Sequence, residues 1–286
     1  MNGPMTPLKL SIITPNYNYA RYIGETIESV MDQDHDNIEF IIVDDGSTDD
    51  SVQVIERYQQ RYPGRIILLQ KPNEGHVKTV NFGFKHATGD IVAWMNSDDT
   101  FCPNIIGTVM REFREHPGTE LVYGNWNLMD PDGRFVYYYR HLPFSYLTGV
   151  FLGFDNLTSN ATFWRRELFE RFGYLNEEFH YNPDGEFFSR IAFGTVKRQL
   201  NIPLANHRAH PVSMTLDKRK DVVERKQAEW DAVFRAAFRR TRLSSWMPES
   251  WAPAAAAVFK VQRVARKLLF GHYLPLRTYK AFRGMR

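Results

Sequence analysis

Two adjacent carboxylates, Asp98 and Asp99, follow a short run of apolar residues over 91–95. Such a run is typical of a central strand buried on both faces, and Pro103 is typical of the first turn of a following helix. Neighbouring carboxylates at a strand end repel each other and lose hydration, so a cation or a hydrogen-bonding ligand would stabilise them. The pair is therefore a candidate metal and ligand site. The alternative is a solvated turn, where Asp-Asp pairs are common.

Three more strand-then-helix units precede this pair. The predicted strands cover 10–14, 39–43 and 65–70, and apolar residues at helical spacing follow each of them. Ser47 or Thr48 is a candidate cap for the second helix. Four such units in succession predict an α/β fold, with a mainly parallel, Rossmann-like sheet and helices on both of its faces.

The parallel sheet has a geometric consequence for the polar loops. The carboxyl ends of parallel strands lie along one edge, so the loop at 15–18, the Asp44-Asp45 turn and the Asp98-Asp99 pair are expected to converge. Three converging polar loops are stronger support for a binding crevice than any one of them.

After residue 103 the pattern changes and predicts a small antiparallel part. Strands are predicted over 120–123 and 135–139, joined by the turn signal Asp130-Pro131-Asp132-Gly133. Short helices are predicted over 165–172 and 184–192. Residues 140–160 are expected to be irregular, either a loop over the crevice or an ordinary connection.

The composition excludes several classes of protein. With 286 residues, 43% of them hydrophobic, the chain can bury a full core, as one large domain or as a domain with an appendage. The single cysteine, Cys102, excludes an internal disulfide and fits a reducing compartment. The N-terminus lacks the charged and apolar regions of a signal peptide, and no run of eighteen apolar residues occurs. We expect a cytoplasmic protein without a membrane span.

The C-terminal part of the chain is basic. Residues 217–286 hold 17 Lys and Arg against 6 Asp and Glu, whereas residues 1–216 hold 19 against 27. Helices are predicted over 217–242 and 253–270. In the second, an apolar face opposes a basic one, which suits contact with an anionic membrane surface; packing on the domain or on a second subunit is the alternative. Binding of nucleic acid is not expected, because the tail has no recognised motif for it.

The motifs, taken in order, resemble those of the inverting glycosyltransferases of family 2, which have the GT-A fold. The resemblance runs from about residue 8 to residue 215. Its motifs are Pro15-Asn16-Tyr17-Asn18, Val43-Asp44-Asp45-Gly46-Ser47-Thr48-Asp49, Asn73-Glu74-Gly75 with Asn81, Asn96-Ser97-Asp98-Asp99, Phe163 to Phe169, Gly173 to Glu177, Asp184 to Arg190, and His207-Arg208-Ala209-His210. It implies a GT-A domain over 1–216, with a nucleotide-sugar half at about 8–102, an acceptor half at about 103–216, and a basic helical extension over 217–286.

The resemblance also implies roles in binding a nucleotide-diphosphate sugar. Asp99 is expected to bind Mg²⁺ or Mn²⁺ through hard oxygen ligands, with His210 as a second metal ligand or a contact to the diphosphate. Asp98 is expected to face the ribose and Asp45 the base. The nucleotide is expected to contact the loop after the first strand, through Thr14, Pro15, Tyr17 and Asn18.

Inversion by direct displacement needs a base on the far side of the sugar, to take the proton of the acceptor hydroxyl. Asp184 holds the family's position for this base, at the start of a helix whose dipole favours a carboxylate. Glu186 is the second candidate, and simple capping of the helix is the structural alternative for Asp184. The roles of Lys78 and Asn160, where the chain departs from the family, stay open.

The resulting hypothesis is a metal-dependent inverting glycosyltransferase that moves one sugar per encounter to a hydroxyl of a glycan or a lipid-linked acceptor. Synthesis of cell-surface polysaccharide, in the cytoplasm or on the inner face of the membrane, is the expected setting. Two rivals remain: a non-catalytic nucleotide-sugar-binding protein and a nucleotidyltransferase. The latter normally needs a Gly-rich basic loop near the N-terminus, and residues 15–18 are not one.

Overall fold

The computed structural model describes residues 8–141, 143–152, 157–211, 213, 219–251 and scattered positions from 253 to 264. Within these residues nine strands form one sheet. The first four are β1 (Leu10–Asn16), β2 (Ile38–Asp44), β3 (Ile66–Gln70) and β4 (Ile91–Trp94). They pair in parallel in the order β3-β2-β1-β4, which confirms the predicted parallel core.

Three helices connect these strands: α1 (Ile23–Met31), α2 (Ser51–Arg61) and α3 (His76–His86). Successive residues of β1 point to opposite faces of the sheet, so Ile12 packs in the core with α1 and α2, whereas Ile13 packs in the core with α3. The sheet therefore carries helices on both faces, as an α/β fold requires.

The second half of the chain extends the sheet with antiparallel pairs. Its strands are β5 (Thr100–Phe101), β6 (Leu121–Met129), β7 (Phe135–Tyr139), β8 (Thr162–Arg165) and β9 (Lys197–Arg208). Beyond β4 the order is β8-β6-β9-β5, with β8 antiparallel to both β4 and β6, and β7 forming a hairpin with β6. Strands β6 and β9 run parallel to each other.

Five helices accompany these strands: α4 (Ile106–Glu115), α5 (Tyr146–Leu152), α6 (Leu168–Phe172), α7 (Pro183–Ile191) and α8 (Lys220–Arg239). Helix α4 joins the core of α1 and α2, and the other four share the core of α3 on the opposite face. Helix α8 packs against α5 and α7. The first helix of the predicted C-terminal extension thus lies on the main domain.

The structure corrects several local predictions. Pro103 does not start a helix, because it lies in a turn between β5 and the beginning of α4 at Ile106. Arg165 ends β8 in place of starting a helix. Helix α2 begins at Ser51 without a side-chain cap, so neither Ser47 nor Thr48 caps it. Residues 140–160 are not wholly irregular, since α5 and a short 3₁₀ turn, Ser159–Ala161, lie within them.

The second predicted tail helix, 253–270, falls largely outside the described residues. Of its expected apolar face, Val258, Val261 and Val264 are described, and all three are exposed. The remaining positions of that face and its Lys and Arg residues lie outside the described part of the chain. No described helix is both long enough and apolar enough to cross a bilayer.

Candidate functional site

A crevice of about 1000 Å³ opens where the first and second halves of the sheet meet. One side of the crevice is formed by residues at the carboxyl ends of β1, β2 and β4. The other side is formed by residues of α7, α8 and β9. Its lining includes all three groups of polar loop residues that the sequence predicted to converge: Pro15, Asn16 and Tyr17; Asp45; and Asn96, Ser97 and Asp98. The predicted convergence is therefore observed.

Asp45 organises one end of the crevice. Its Oδ1 accepts hydrogen bonds from the Lys71 ammonium at 2.5 Å and from the N–H of Glu74 at 3.0 Å, and its Oδ2 accepts one from the N–H of Gly75 at 2.9 Å. Burial opposes ionisation of Asp45, but these hydrogen bonds lower its pKa below the ordinary value. Asp45 is therefore a carboxylate that fixes the loop leading into α3 and borders the crevice.

The loop after β1 brings two of its four predicted residues to the crevice. Pro15 and Tyr17 line it, and the Tyr17 ring is exposed. Thr14 is fully buried within the sheet and does not line it. Asn18 adopts a left-handed backbone conformation, and its Oδ1 accepts hydrogen bonds from the backbone N–H of Thr48 and Asp49. The Asn18 side chain is thus used to connect two loops.

Asp99 points into the interior and not into the crevice. Its side chain has 0% exposure, its Oδ1 accepts the N–H of Arg208 at 2.8 Å, and its Oδ2 accepts the Asn160 amide at 3.0 Å. Burial opposes ionisation, but His207 and these hydrogen bonds lower the pKa of Asp99. The carboxylate predicted to bind metal is therefore enclosed by protein donors. Asn160, whose role the sequence left open, is one of them.

Asp98, in contrast, opens to the crevice. Its side chain is 14% exposed, and its Oδ2 lies 2.9 Å from Nε2 of His210. Burial and the charge of Asp99 raise the pKa of Asp98. The structure thus brings the predicted metal ligand His210 to Asp98. His210 is buried against the rings of Tyr19 and Tyr22.

A divalent cation fits the donor atoms at Asp98. Burial and the charge of Asp99 oppose ionisation of Asp98, and Nε2 of His210 lies 2.9 Å from Oδ2 of Asp98, so a cation at this point would compensate the carboxylate and meet an oxygen and a nitrogen donor. No group of three or more His, Cys, Asp and Glu side chains in the described part of the chain forms a complete metal site. One carboxylate that opens to the crevice suits Mg²⁺ or a similar ion, which proteins commonly hold through one or two carboxylates together with substrate phosphates.

His207 is a functional candidate that the sequence analysis did not single out. It lines the crevice, and its Nδ1 lies 3.2 Å from Oδ1 of Asp99. Burial opposes protonation, but the carboxylate of Asp99, with smaller contributions from Asp98 and Asp184, raises the pKa of His207 to about 9. A cation therefore faces the crevice at neutral pH. The sequence offered one indication of a role for His207, its place in the His207-Arg208-Ala209-His210 motif, but the sequence analysis assigned the metal-binding role in that motif to His210.

The structure distinguishes the two candidate bases. Asp184 lies in the first turn of α7 and lines the crevice, and its Oδ1 accepts the N–H of Gly185 at 2.9 Å. Glu186 is buried, does not line the crevice, and pairs with Arg190 through hydrogen bonds of 2.6 and 2.8 Å. Arg190 in turn donates to the carbonyl of Tyr174. Glu186 therefore has a structural partner, and only Asp184 faces the cavity.

Aromatic residues line the side of the crevice that the second half of the sheet and α8 form. Trp126 of β6 stacks on Tyr139 of β7 with a centroid distance of 4.7 Å, and its ring also contacts His207. Tyr181, which precedes α7, and Trp230, which lies on α8, complete this group. Lys226 of α8 lines the same side. Sequence reasoning missed these residues because nothing in their spacing shows that β6, β7, α8 and the loop before α7 meet at this crevice.

Solved structures with a similar fold include two sugar-nucleotide complexes. TarS 1–349 from S. aureus, in complex with UDP-GlcNAc, has a TM-score of 0.63 at 20% identity, and the match covers 87% of this chain and 79% of that one. The mannosyltransferase PcManGT from Pyrobaculum calidifontis, in complex with GDP-Man and Mn²⁺, has a TM-score of 0.58 at 17% identity, covering 97% and 84%. At these identities the likeness shows the GT-A fold.

Curated relatives match over shorter stretches. An uncharacterised glycosyltransferase of Nostoc sp. is 42% identical over 107 residues, which are 37% of this chain and 33% of that protein. The glycosyltransferase GlyG of Streptococcus pneumoniae is 30% identical over 45% of this chain and 43% of GlyG. The minor teichoic acid biosynthesis protein GgaB of Bacillus subtilis is 34% identical over 41% of this chain and 13% of GgaB. The match thus spans less than half of each relative.

A family model matches a longer stretch of the chain than these relatives do. The model described as "Glycosyl transferase family 2" matches residues 11–190, which is more than half of the chain. This stretch includes β1 to β8, the Asp45 loop, the Asp98-Asp99 pair and α7 with Asp184. The chain therefore belongs to glycosyl transferase family 2.

Proposed function

We propose that this protein is a metal-dependent inverting glycosyltransferase that transfers one sugar from a nucleoside-diphosphate sugar to a hydroxyl group of a glycan or lipid-linked acceptor. One observation carries the proposal: Asp45, Asp98 and Asp184 line the same crevice. These carboxylates come from two loops and the first turn of α7, and they fit three tasks, which are to border the nucleotide, to hold a metal ion and to act as a base.

The nucleotide would occupy the end of the crevice between Tyr17 and Asp45. The exposed Tyr17 ring offers a surface on which a base can stack, and Asp45, which lines the same crevice, offers a hydrogen-bond acceptor. Thr14 and Asn18 act indirectly in this proposal, since both support the loop without reaching the cavity. TarS and PcManGT were solved with UDP-GlcNAc and GDP-Man, which supports a nucleotide sugar as the donor here.

The metal would be held by Asp98, with Nε2 of His210 as a second donor. When bound, Mg²⁺ or Mn²⁺ would neutralise the growing negative charge of the leaving diphosphate. Asp99 takes a different role from the expected one: it holds His207 and the backbone of Arg208 in place beside the crevice. The His207 imidazolium supplies a further positive charge on the same side.

Asp184 would act as the base in a direct displacement. Its carboxylate takes the proton of the acceptor hydroxyl as that oxygen attacks the anomeric carbon, and the bond to the diphosphate breaks on the opposite face. The configuration of the sugar inverts, and the nucleoside diphosphate leaves with the electron pair. The N-terminus of α7 favours the charged form of Asp184 before the reaction.

The acceptor half favours a glycan. Trp126, Tyr139, Tyr181 and Trp230 offer apolar faces, against which the C–H groups of a sugar ring can pack. GgaB is named for minor teichoic acid biosynthesis, which supports synthesis of a cell-surface polymer as the setting. A cytoplasmic location with membrane contact through 253–270 remains part of this proposal, as does the division into a domain over 1–216 and an extension over 217–286.

A transfer assay tests the proposal. The protein would be incubated with Mn²⁺, UDP-GlcNAc or GDP-mannose, and a panel of p-nitrophenyl glycosides, with Asp184→Asn as control. We expect release of UDP or GDP that depends on the glycoside. We also expect NMR of the product to show that the anomeric configuration of the transferred sugar is inverted relative to the donor. Nucleotide binding without any release would instead support a non-catalytic binding protein. Release of pyrophosphate from UTP and a sugar 1-phosphate would support a nucleotidyltransferase.

A further inference from the structure

Helix α8 carries a carboxylate on its inner face. Val222, Val233 and Ala237 are buried, and Glu229 lies at the same helical phase, four residues before Val233. A carboxylate at a position where an apolar residue would pack must be matched by hydrogen-bond donors, because leaving it without partners is costly.

The donors are three consecutive backbone N–H groups. Oε1 of Glu229 accepts the N–H of His180, and its Oε2 accepts those of Tyr181 and Asn182, each at 2.8 Å. Successive N–H groups that surround one anion form a compact binding arrangement. The run stops at Pro183, which has no N–H and is the first residue of α7.

This contact lies immediately before the candidate base. Asp184 follows Asn182 by two residues, so a loop held through the N–H groups of 180–182 fixes the position at which α7 begins. Two neighbours of Glu229 on α8, Lys226 and Trp230, line the crevice that Asp184 also lines. Helix α8 is thereby connected to the base and to the acceptor side of the cavity.

We propose that Glu229 is a positioning residue of the transfer reaction, holding the loop 180–182 so that Asp184 faces the acceptor hydroxyl. This inference rests on the proposed function, in which Asp184 is the base. It also makes α8 a working part of the catalytic unit, although the helix lies beyond residues 11–190 that match the family model.

The reason to expect a kinetic effect is the sensitivity of proton transfer to geometry. A displacement of about 1 Å at a reacting group can lower the rate on the order of 100-fold. Glu229→Gln keeps the size of the side chain but replaces one acceptor oxygen by an NH₂ group. That group faces backbone N–H donors, so at least one of the three bonds is lost and the loop shifts.

The test compares Glu229→Gln with Glu224→Gln in the full chain. Glu224 is on the outer face of the same helix, is 68% exposed and lies 3.9 Å from Lys220. Using the transfer assay above, kcat of Glu229→Gln is expected to fall about 30-fold, while the Kd for UDP or GDP with Mn²⁺ changes less than about twofold. Glu224→Gln should behave as the unmodified protein. Hydrogen exchange at the amides of 180–182 should be faster in Glu229→Gln alone.

A double substitution separates positioning from a general structural role. In an Asp184→Asn background, Glu229→Gln should cause no further fall in kcat, because residues that act as a unit are non-additive. An equal fall in both backgrounds, an unchanged kcat, or loss of nucleotide binding together with kcat would overturn the positioning role. In each of those cases transfer by the unmodified protein leaves the proposed function standing. If the unmodified protein transfers no sugar, the proposed function fails first and this inference fails with it.

Discussion

The two sides of the crevice are built in different ways. The proposed donor side comes from the loops that follow β1, β2 and β4, and its carboxylate Asp45 is held by neighbours in one adjoining loop, Lys71, Glu74 and Gly75. The proposed acceptor side combines β6, β7, α7 and α8, and the loop before the proposed base Asp184 is held by Glu229, 47 to 49 residues further along the chain. Asp45 is thus held by a loop within the parallel half of the sheet, whereas the loop before Asp184 is held by a helix that follows it in the chain.

Because the two sides are held by different contacts, we expect substitutions on each side to change different properties of the protein. Changes on the donor side should alter nucleotide affinity, and changes on the acceptor side should alter turnover with little effect on nucleotide affinity. The largest effect is expected at the proposed base.

Asp184→Asn should lower kcat about 1000-fold, since an amide cannot accept the proton of the acceptor hydroxyl. The Kd for nucleotide, measured by calorimetry, should stay within about twofold of the unmodified value. Nucleotide affinity that falls in parallel with kcat would show that the two sides of the crevice are not separable in this way.

Asp98→Asn and Asp99→Asn form a matched pair at the boundary between the two sides. Asp98→Asn should abolish the Mn²⁺ dependence of nucleotide binding and reduce turnover on the order of 100-fold, because it removes the proposed metal carboxylate. Asp99→Asn should instead destabilise the fold by about 2 kcal/mol, because it replaces one oxygen of a fully buried carboxylate, which accepts the Arg208 N–H and the Asn160 amide, by an NH₂ donor. Thermal unfolding and nucleotide binding distinguish the two variants. If Asp99→Asn also lost the Mn²⁺ dependence of nucleotide binding while its Tm stayed unchanged, Asp99 would be the metal ligand, as the sequence predicted.

Tyr17→Ala and Trp230→Ala compare an aromatic residue on each side. Loss of stacking on Tyr17 should weaken nucleotide binding about tenfold and leave the acceptor KM unchanged. Trp230→Ala should raise the acceptor KM several-fold and leave nucleotide binding unchanged. A Trp230→Ala protein with weakened nucleotide binding would contradict the placement of the acceptor.

The smallest effect on turnover is expected at Glu39, which lies in the donor-side scaffold away from the crevice. It accepts hydrogen bonds from Lys9 at 2.8 Å, from Ser11 at 2.5 Å and from Thr88 at 2.8 and 2.7 Å. Burial opposes ionisation, but these bonds lower the pKa of Glu39 from 4.5 to about 2. The folded-state pKa is the lower one, so the stabilisation is present above pH 4.5 and is lost as the pH falls toward 2.

Glu39→Gln should therefore lower the free energy of unfolding at pH 7 by about 2 kcal/mol and flatten its decline between pH 4.5 and 2. Turnover at 25 °C should stay within about twofold, since stability and the donor site are separate here. Urea unfolding at several pH values gives the result. An unchanged pH dependence would mean that Glu39 is not held in its charged form by these bonds.

The sequence was most informative where structure depends on local pattern. Short apolar runs located β1 to β4, and apolar residues at helical spacing located α1 to α3. The rule that the carboxyl ends of parallel strands share one edge then placed the loops with Asp45 and Asp98 in one crevice. The same patterns could not show which of Asp98 and Asp99 faces the cavity. That choice depends on donors from Asn160 and Arg208, which are 61 and 109 residues away.

The acceptor side could not be predicted for the same physical reason. Trp126, Tyr181 and Trp230 are ordinary core or surface aromatics in sequence. The pairing of β6 within the sheet brings Trp126 to the crevice, and the packing of α8 on α7 brings Trp230 there. Glu229 had a detectable signal, because it is in phase with the buried residues of α8, but its three donors are backbone groups that no side-chain pattern reveals.

Calorimetric titration of UDP, GDP and dTDP, with Mn²⁺ and with EDTA, tests the central claim most directly when it is applied to the unmodified protein and to Asp98→Asn. We predict that one nucleotide binds in the presence of Mn²⁺, that EDTA weakens its binding at least about tenfold, and that Asp98→Asn removes this difference. Binding that is equal with and without Mn²⁺, or no binding of any of the three nucleotides, would contradict the account of the crevice as a metal-dependent donor site.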